Sequence, residues 1–193
     1  MDRRADALIG AAELALFIRE LATRSEGRAV GTVGQLVVSP GAMNVIPGRV
    51  RMAIELRSAD DGFLADAKQA VERKGHEIAG RYRLTFSAER WSESAHQPLD
   101  DGVRAAILKA MRARGVPPLT LPSWAGHDAG VLAQYVPAGM IFVTSTGGIS
   151  HSPREQTPWP AVEAGAQVLL DTLLLLDAAE DRAGTLPLAY AAR

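Results

Sequence analysis

The chain has 193 residues, 47% hydrophobic and 22% charged, which is enough to bury a core and ordinary for a soluble globular protein. A net charge of −1 gives no electrostatic case for nucleic acid or an anionic membrane, and the lack of cysteine leaves only His, Asp and Glu to hold a metal. The start, Met1 to Asp6, is too charged for a signal peptide, and the longest apolar run, around Val168 to Leu176, is broken by Asp171 and Thr172, so a cytoplasmic protein is expected.

Residues 3 to 24 place Leu8, Ala11, Ala12, Ala15, Ile18 and Leu21 on one side of a 3.6-residue period, which predicts an amphipathic helix ended by Gly27. Val30 to Val38 is rich in β-branched residues and reads as a strand. Ser39 to Gly48 holds two glycines and two prolines and reads as a loop, with Asn44 near its centre. Arg49 to Arg57 alternates, Val50, Met52, Ile54 and Leu56 against Arg49, Arg51, Ala53, Glu55 and Arg57, which predicts a half-buried strand. A second amphipathic helix begins at Asp60 and Asp61 and runs to about Ala79. Arg83 to Trp91 alternates again through Leu84, Phe86 and Ala88. Helix, strand, strand, helix, strand is the order of a split βαββαβ sandwich without its first strand.

The polar stretch Ser92 to Pro98 reads as a boundary, giving domains 1–97 and 98–193. Beyond it, Val103, Ala106, Ile107, Ala110 and Met111 mark a third helix closed by Gly115. Leu119 to Leu121 reads as a short strand entering Trp124-Ala125-Gly126-His127-Asp128-Ala129, with a short helix after it. Met140 to Val143 reads as a buried strand, followed by Gly147-Gly148-Ile149-Ser150-His151-Ser152-Pro153-Arg154-Glu155 and a last helix from about Trp159 to Ala178. The last dozen residues show no strong pattern. This half alternates strand and helix, as in part of an α/β sheet.

The glycine pair lets the backbone turn sharply after a strand, so His151 falls where α/β sheets present ligands and catalytic groups. A metal-ligating imidazole, with Glu155 supporting it or opening the next helix, competes there with a solvent-facing loop histidine. His127-Asp128 also reads as a helix start, with Asp128 favoured by the helix dipole. His76 and His96 read as surface residues. Ser150 and Ser152 beside His151 suggest a nucleophile pair, but sequence neighbours rarely have that geometry and no nucleophile-elbow glycine pattern is present.

Taken together, Gly31-Thr32-Val33-Gly34, Pro40 to Gly48, Glu55-Leu56-Arg57, Ala125-Gly126-His127-Asp128-Ala129 and Gly148 to Glu155 resemble the amidase branch of the M20-type metallohydrolases. That branch includes N-carbamoyl-L-amino acid hydrolases, allantoate amidohydrolases, ureidoglycolate-type amidohydrolases and β-alanine synthases. The resemblance implies an α/β protein with an α+β lid. Residues 1–97 would be an incomplete ferredoxin-like βαββαβ lid and dimerisation domain lacking its first strand. Residues 98–193 would be the C-terminal part of a zinc-aminopeptidase-like catalytic domain.

Carried over by position, the resemblance makes His151 a metal ligand and Asn44, Arg57, Gly126 and His127 substrate contacts. It implies a pair of divalent metals (zinc, manganese, cobalt or nickel), a ureido or carbamoyl acid substrate and a homodimer formed through the lid. Neither nucleic acid nor a membrane is an expected partner. The roles suit the chemistry: a guanidinium grips a carboxylate bidentately, an amide offers donor and acceptor, and an imidazole can donate to a tetrahedral oxyanion. The family's general base and its other metal ligands have no counterpart here, so the chain by itself is expected to be inactive. Trp124 stands where the family usually has glycine, and Glu55 where it usually has aspartate. A truncated, non-catalytic dimerisation or ligand-binding module is the alternative. A peptidase of the same family suits the Asn44–Arg57 spacing and Gly126-His127-Asp128-Ala129 less well.

Overall fold

The computed structural model describes residues 3–183, so the patternless C-terminus lies, from residue 184 on, outside the described residues. The chain divides between His96 and Gln97 into two compact units. No helix among the described residues is long and apolar enough to cross a membrane.

The first unit contains α1 (Ala7–Thr23), β1 (Ala29–Ser39), β2 (Arg49–Ser58) and α2 (Asp61–Tyr82). Both helices begin on an aspartate. The Asp6 carboxylate accepts from the Leu8 and Ile9 amides, and the Asp60 carboxylate accepts from Phe63, satisfying N–H groups with no partner inside the helix. Ser25 is buried at the exit of α1: its hydroxyl donates to Ala22 O at 2.7 Å and accepts from Ala29 N at 2.9 Å, which ties the helix end to the start of β1. β1 and β2 form an antiparallel hairpin that pairs Ala29 with Ser58 and Ser39 with Arg49, with a register shift between Val33 and Gln35.

Met52, Ile54, Leu56 and Val33 pack under Leu14, Ile18, Val71 and Ile78 of the helices. Ile18 is 1% exposed, and burying a side chain of that size stabilises by about 2–3 kcal/mol. The hairpin therefore matches the period-two expectation, with the arginines and Glu55 facing outward.

The third expected strand does not form. α2 ends on Arg83 in a left-handed conformation (φ 57°), the Leu84 amide donates to Ala79 O at 2.8 Å, and residues 84–91 continue without strand pairing. The alternation still sets packing. Leu84 sits over Gly10, where a Cβ would fall 2.8 Å from it, and the Phe86 ring lies 2.4 Å from where a Cβ on Gly75 would be. Ala88, expected inward, is exposed. A strand needs a hydrogen-bonded neighbour as well as an apolar face, and β1 and β2 pair only with each other among the described residues.

The second unit is built on α3 (Asp101–Ala113) and α5 (Trp159–Ala183), with the short α4 (Asp128–Leu132) between them. Asp100 caps α3 through the Val103 amide at 2.8 Å. Ile107 and Ala110 of α3 meet Val168 of α5, and Arg114 donates to both carboxylate oxygens of Asp171, at 2.5 and 2.8 Å. Neither Leu119–Leu121 nor Met140–Val143 is a strand, and Phe142, read as buried, is 53% exposed. Their apolar character was legible; strand neighbours for them are not present among the described residues.

Candidate functional site

The two units carry different parts of the expected site. In the first, Asn44 lies in an exposed turn of the loop joining β1 to β2. That loop is closed by Gly48 N to Ser39 O at 3.1 Å, and the Ala7 amide at the start of α1 donates to Pro47 O at 3.0 Å. Arg57 pairs with Val30, at the opposite end of the hairpin from Ser39 and Arg49. Arg57 lies eight positions along β2 from Arg49, about 26 Å at roughly 3.3 Å per residue. Asn44 and Arg57 are thus close in sequence and at opposite ends of one element.

Arg57 points outward from the hairpin, 43% exposed, and its Nη2 donates to both oxygens of Glu55 at 2.9 and 2.8 Å. The two side chains share a face because a strand repeats every second residue. Exposed ion pairs of this kind are worth about 0–1 kcal/mol.

In the second unit, residues 123–128 fold into a compact turn ahead of α4. The Ser123 hydroxyl accepts from the Ala125 amide at 3.2 Å, and its oxygen lies 2.6 Å from Nε2 of His127. His127 occupies the N-cap position of α4 without capping it through its side chain, and Asp128 opens that helix. The Phe142 ring stands edge-on to the imidazole, with centroids 5.7 Å apart and an interplanar angle of 71°. Nothing lies within 4 Å of where a Gly126 Cβ would be, so the backbone before His127 is open to a ligand. Ser123 and Phe142 were missed by the sequence reading. The serine was detectable in principle, because Ser-x-Ala is compatible with a hydroxyl turn that folds back on the residues following it.

His151 follows a short 3-10 turn, Thr146–Gly148, in which both glycines have positive φ (67° and 66°). The loop is closed by Thr146 N to Gln156 O at 2.8 Å and by the Ser145 hydroxyl to Ile149 O at 2.6 Å. His151 itself has φ 55°, a left-handed backbone that costs a non-glycine residue on the order of 1–2 kcal/mol. The Glu155 carboxylate holds it there by accepting the His151 backbone amide at 3.0 Å. This corrects the helix-start role read for Glu155: its carboxylate accepts the His151 backbone amide, and the next helix opens only at Trp159. The Ser152 hydroxyl accepts from Arg154 N, so it is occupied within the loop.

His151 is exposed, and among the described residues no three side chains of His, Cys, Asp or Glu come together as a metal site. One imidazole does not make a metal centre, so the described residues alone do not fit a resident metal pair. His76 and His96 are exposed, as expected. The His96 ring hydrogen-bonds Asp61 at 3.1 Å, and that bond holds the Asp61 carboxyl below its ordinary range.

Residues 7–175 match the family model described as peptidase family M20/M25/M40. The N-carbamoyl-L-amino acid amidohydrolase of Geobacillus stearothermophilus is 39% identical over 173 residues, covering 90% of this chain and 42% of that protein. The allantoate amidohydrolase of Bacillus subtilis is 32% identical over 145 residues, 75% of this chain and 35% of that protein. A crystal structure of a hydantoinase/carbamoylase family amidase from Burkholderia multivorans superposes with a TM-score of 0.86 at 35% identity, over 91% of this chain and 43% of its own. The chain therefore spans less than half the length of the relatives it matches.

Proposed function

The chain belongs to peptidase family M20/M25/M40, and from that premise we propose that it is part of a metal-dependent amidohydrolase that cleaves a non-peptide C–N bond in an N-carbamoyl amino acid or an allantoate-like ureido acid. The observation that carries this reading is the 39% identity to an N-carbamoyl-L-amino acid amidohydrolase over 90% of the chain. The first unit would act as the lid and dimerisation element, and the second as the portion of the catalytic domain that presents His127 and His151. His151 would supply one ligand to a divalent metal, and the described residues do not provide the others.

In this reading Arg57 exchanges Glu55 for the substrate carboxylate, gripping it through two parallel hydrogen bonds. The open backbone at Gly126 admits the substrate, and the imidazole of His127 donates to the oxyanion that forms as the carbamoyl carbon becomes tetrahedral. Asn44 offers a donor and an acceptor to the ureido end. Because Asn44 and Arg57 sit at opposite ends of one hairpin, a single copy does not bring both to the same small acid. The reading therefore assigns them to different copies of a homodimer in the cytoplasm.

The test begins with the intact mass of the native product, then measures ammonia release from N-carbamoyl-L-amino acids and from allantoate with added zinc, manganese, cobalt or nickel. Turnover is expected from a product well above 20.5 kDa, with Arg57→Ala raising KM at least tenfold. Mixing an Asn44→Ala protein with an Arg57→Ala protein should restore part of the activity. A native product of 20.5 kDa with no turnover on either substrate would instead identify a ligand-binding or dimerisation module.

A further inference from the structure

The segment that returns from the end of α2 changes character along its length. Leu84 and Phe86 are anchored by apolar contact, Leu84 over Gly10 and Phe86 against the cluster of Leu14, Ile18, Val71 and Ile78. From Ser87 to Pro98 every residue is exposed, Trp91 by 76%. Two polar attachments tie that exposed stretch to α2. Glu93 pairs with Lys68, and also with Arg90 of its own segment. His96 meets both carboxylate oxygens of Asp61: its backbone amide donates to Oδ1 at 3.4 Å, and its ring Nδ1 lies 3.1 Å from Oδ2. Asp61 is available for this because Asp60, not Asp61, caps α2.

We infer that residues 87–96 are a releasable strap, clipped to α2 at Lys68 and Asp61, and that its release lengthens the free connection to the second unit. The spacings suit this. Asp61 and Lys68 are two helical turns apart, so they share a face and are separated by about 10.5 Å. The three residues from Glu93 to His96 span about 10 Å of extended chain. The order is reversed, so the strap runs antiparallel to α2 and both clips close without stretching either element.

The clips are exposed, so salt screens them and each contributes little on its own. Phe86 stays in the core when they part, because apolar burial does not depend on them. With the strap closed, the free chain runs from His96 to Asp100, whose amide is fixed to Ala138 O at 2.9 Å in the second unit. Those four residues reach about 14 Å at most. With the strap released the free chain starts at Phe86 and reaches about 50 Å. In the amidohydrolase reading the strap sets how far the lid travels; that consequence rests on the reading, and the strap itself does not.

The experiment follows chymotrypsin cleavage after Trp91 in the 193-residue protein, relative to a free peptide of the same residues 87–98. At about 0.05 M NaCl the protein should be cut roughly tenfold more slowly than the peptide, and about 0.5 M NaCl should speed it two- to fivefold. Lys68→Glu, which sets like charges together, and His96→Ala should each do the same at low salt. Lys68→Glu combined with Glu93→Lys should return the rate to that of the unsubstituted protein, which separates release of the strap from loss of folding. The chain has no cysteine, so spin labels at Arg73→Cys in α2 and Lys109→Cys in α3 read the spread of distances between the units. Lys68→Glu should broaden that spread toward longer distances, and the charge swap should narrow it again. Cleavage indifferent to salt and to both single substitutions, or a swap without rescue, would overturn the strap. An unchanged distance spread would overturn the lengthening. Neither readout needs turnover, so failure of the amidohydrolase reading would leave both intact.

Discussion

The two units solve the same problem with different success. In the first, two helices lay their apolar faces on a hairpin whose strands are joined by a loop of nine residues between Ser39 and Arg49. Its partners are near in sequence, and Leu14, Ile18, Val71 and Ile78 close over a continuous layer. In the second, the residues expected as strands find no strand neighbour among the described residues, and α5 meets α3 along one side. Leu173 and Leu174 of α5 remain 55% and 58% exposed. A helix apolar on several sides is normally buried on several sides. The contrast is between antiparallel pairing that a short loop supplies and sheet pairing that requires segments far apart in sequence.

Core truncation should separate the units most strongly. Ile18→Ala removes three carbons from the best-packed point of the first unit and should cost about 3 kcal/mol. Val168→Ala, in the smaller α3–α5 contact, should cost about 2 kcal/mol. Urea unfolding followed by a probe in each unit would show each loss confined to its own transition. A loss shared equally by both would mean that the units fold as one body.

Glycine substitutions sharpen the same contrast at a smaller scale. Gly75→Ala would set a Cβ 2.4 Å from the Phe86 ring, and Gly165→Ala would set one 2.5 Å from Cγ1 of Val143. Each should destabilise by about 2 kcal/mol through overpacking. Gly80→Ala meets nothing within 4 Å and should instead stabilise α2 by about 0.5–1 kcal/mol, from helix propensity alone. Melting temperatures of the three variants check the order. A neutral Gly75→Ala would show that residues 84–91 are not held against α2.

These positions also show what was legible. Alternation told which side of Arg49–Arg57 faces the core, and it told that Leu84 and Phe86 turn inward, because burial follows side-chain period. Strand state did not follow, since hydrogen-bond partners are not encoded in a segment's own pattern. At the site, Gly147 and Gly148 announced a sharp turn, and the turn is present with His151 at its end. The distance between Asn44 and Arg57 was not legible. Thirteen residues of spacing look close until the register shows that the loop and the far end of β2 lie about 26 Å apart. Ser123 escaped because its partner is a side chain that only the turn brings near.

The smallest expected effect concerns charge, and its sign can be worked out. Arg114 joins α3 to α5 by gripping Asp171, and its hydrogen bond holds the Asp171 carboxyl below its ordinary range. A carboxyl depressed in the folded state contributes stability above its unfolded pKa, about 3.9, and loses that contribution as pH falls through the folded value. Asp171→Asn should therefore lower the melting temperature of the second unit near neutral pH, and the gap from the unsubstituted protein should close in strong acid. In the first unit, Glu77 is likewise depressed, chiefly by its hydrogen bond to Lys74 within α2, and it reaches α1 only indirectly, through Arg81, whose other partner is Glu13. Glu77→Gln should then move the first unit less than Asp171→Asn moves the second, because it leaves the direct Arg81–Glu13 pair between α1 and α2 in place. Equal shifts in the two units would put the difference between them in charge rather than in strand pairing.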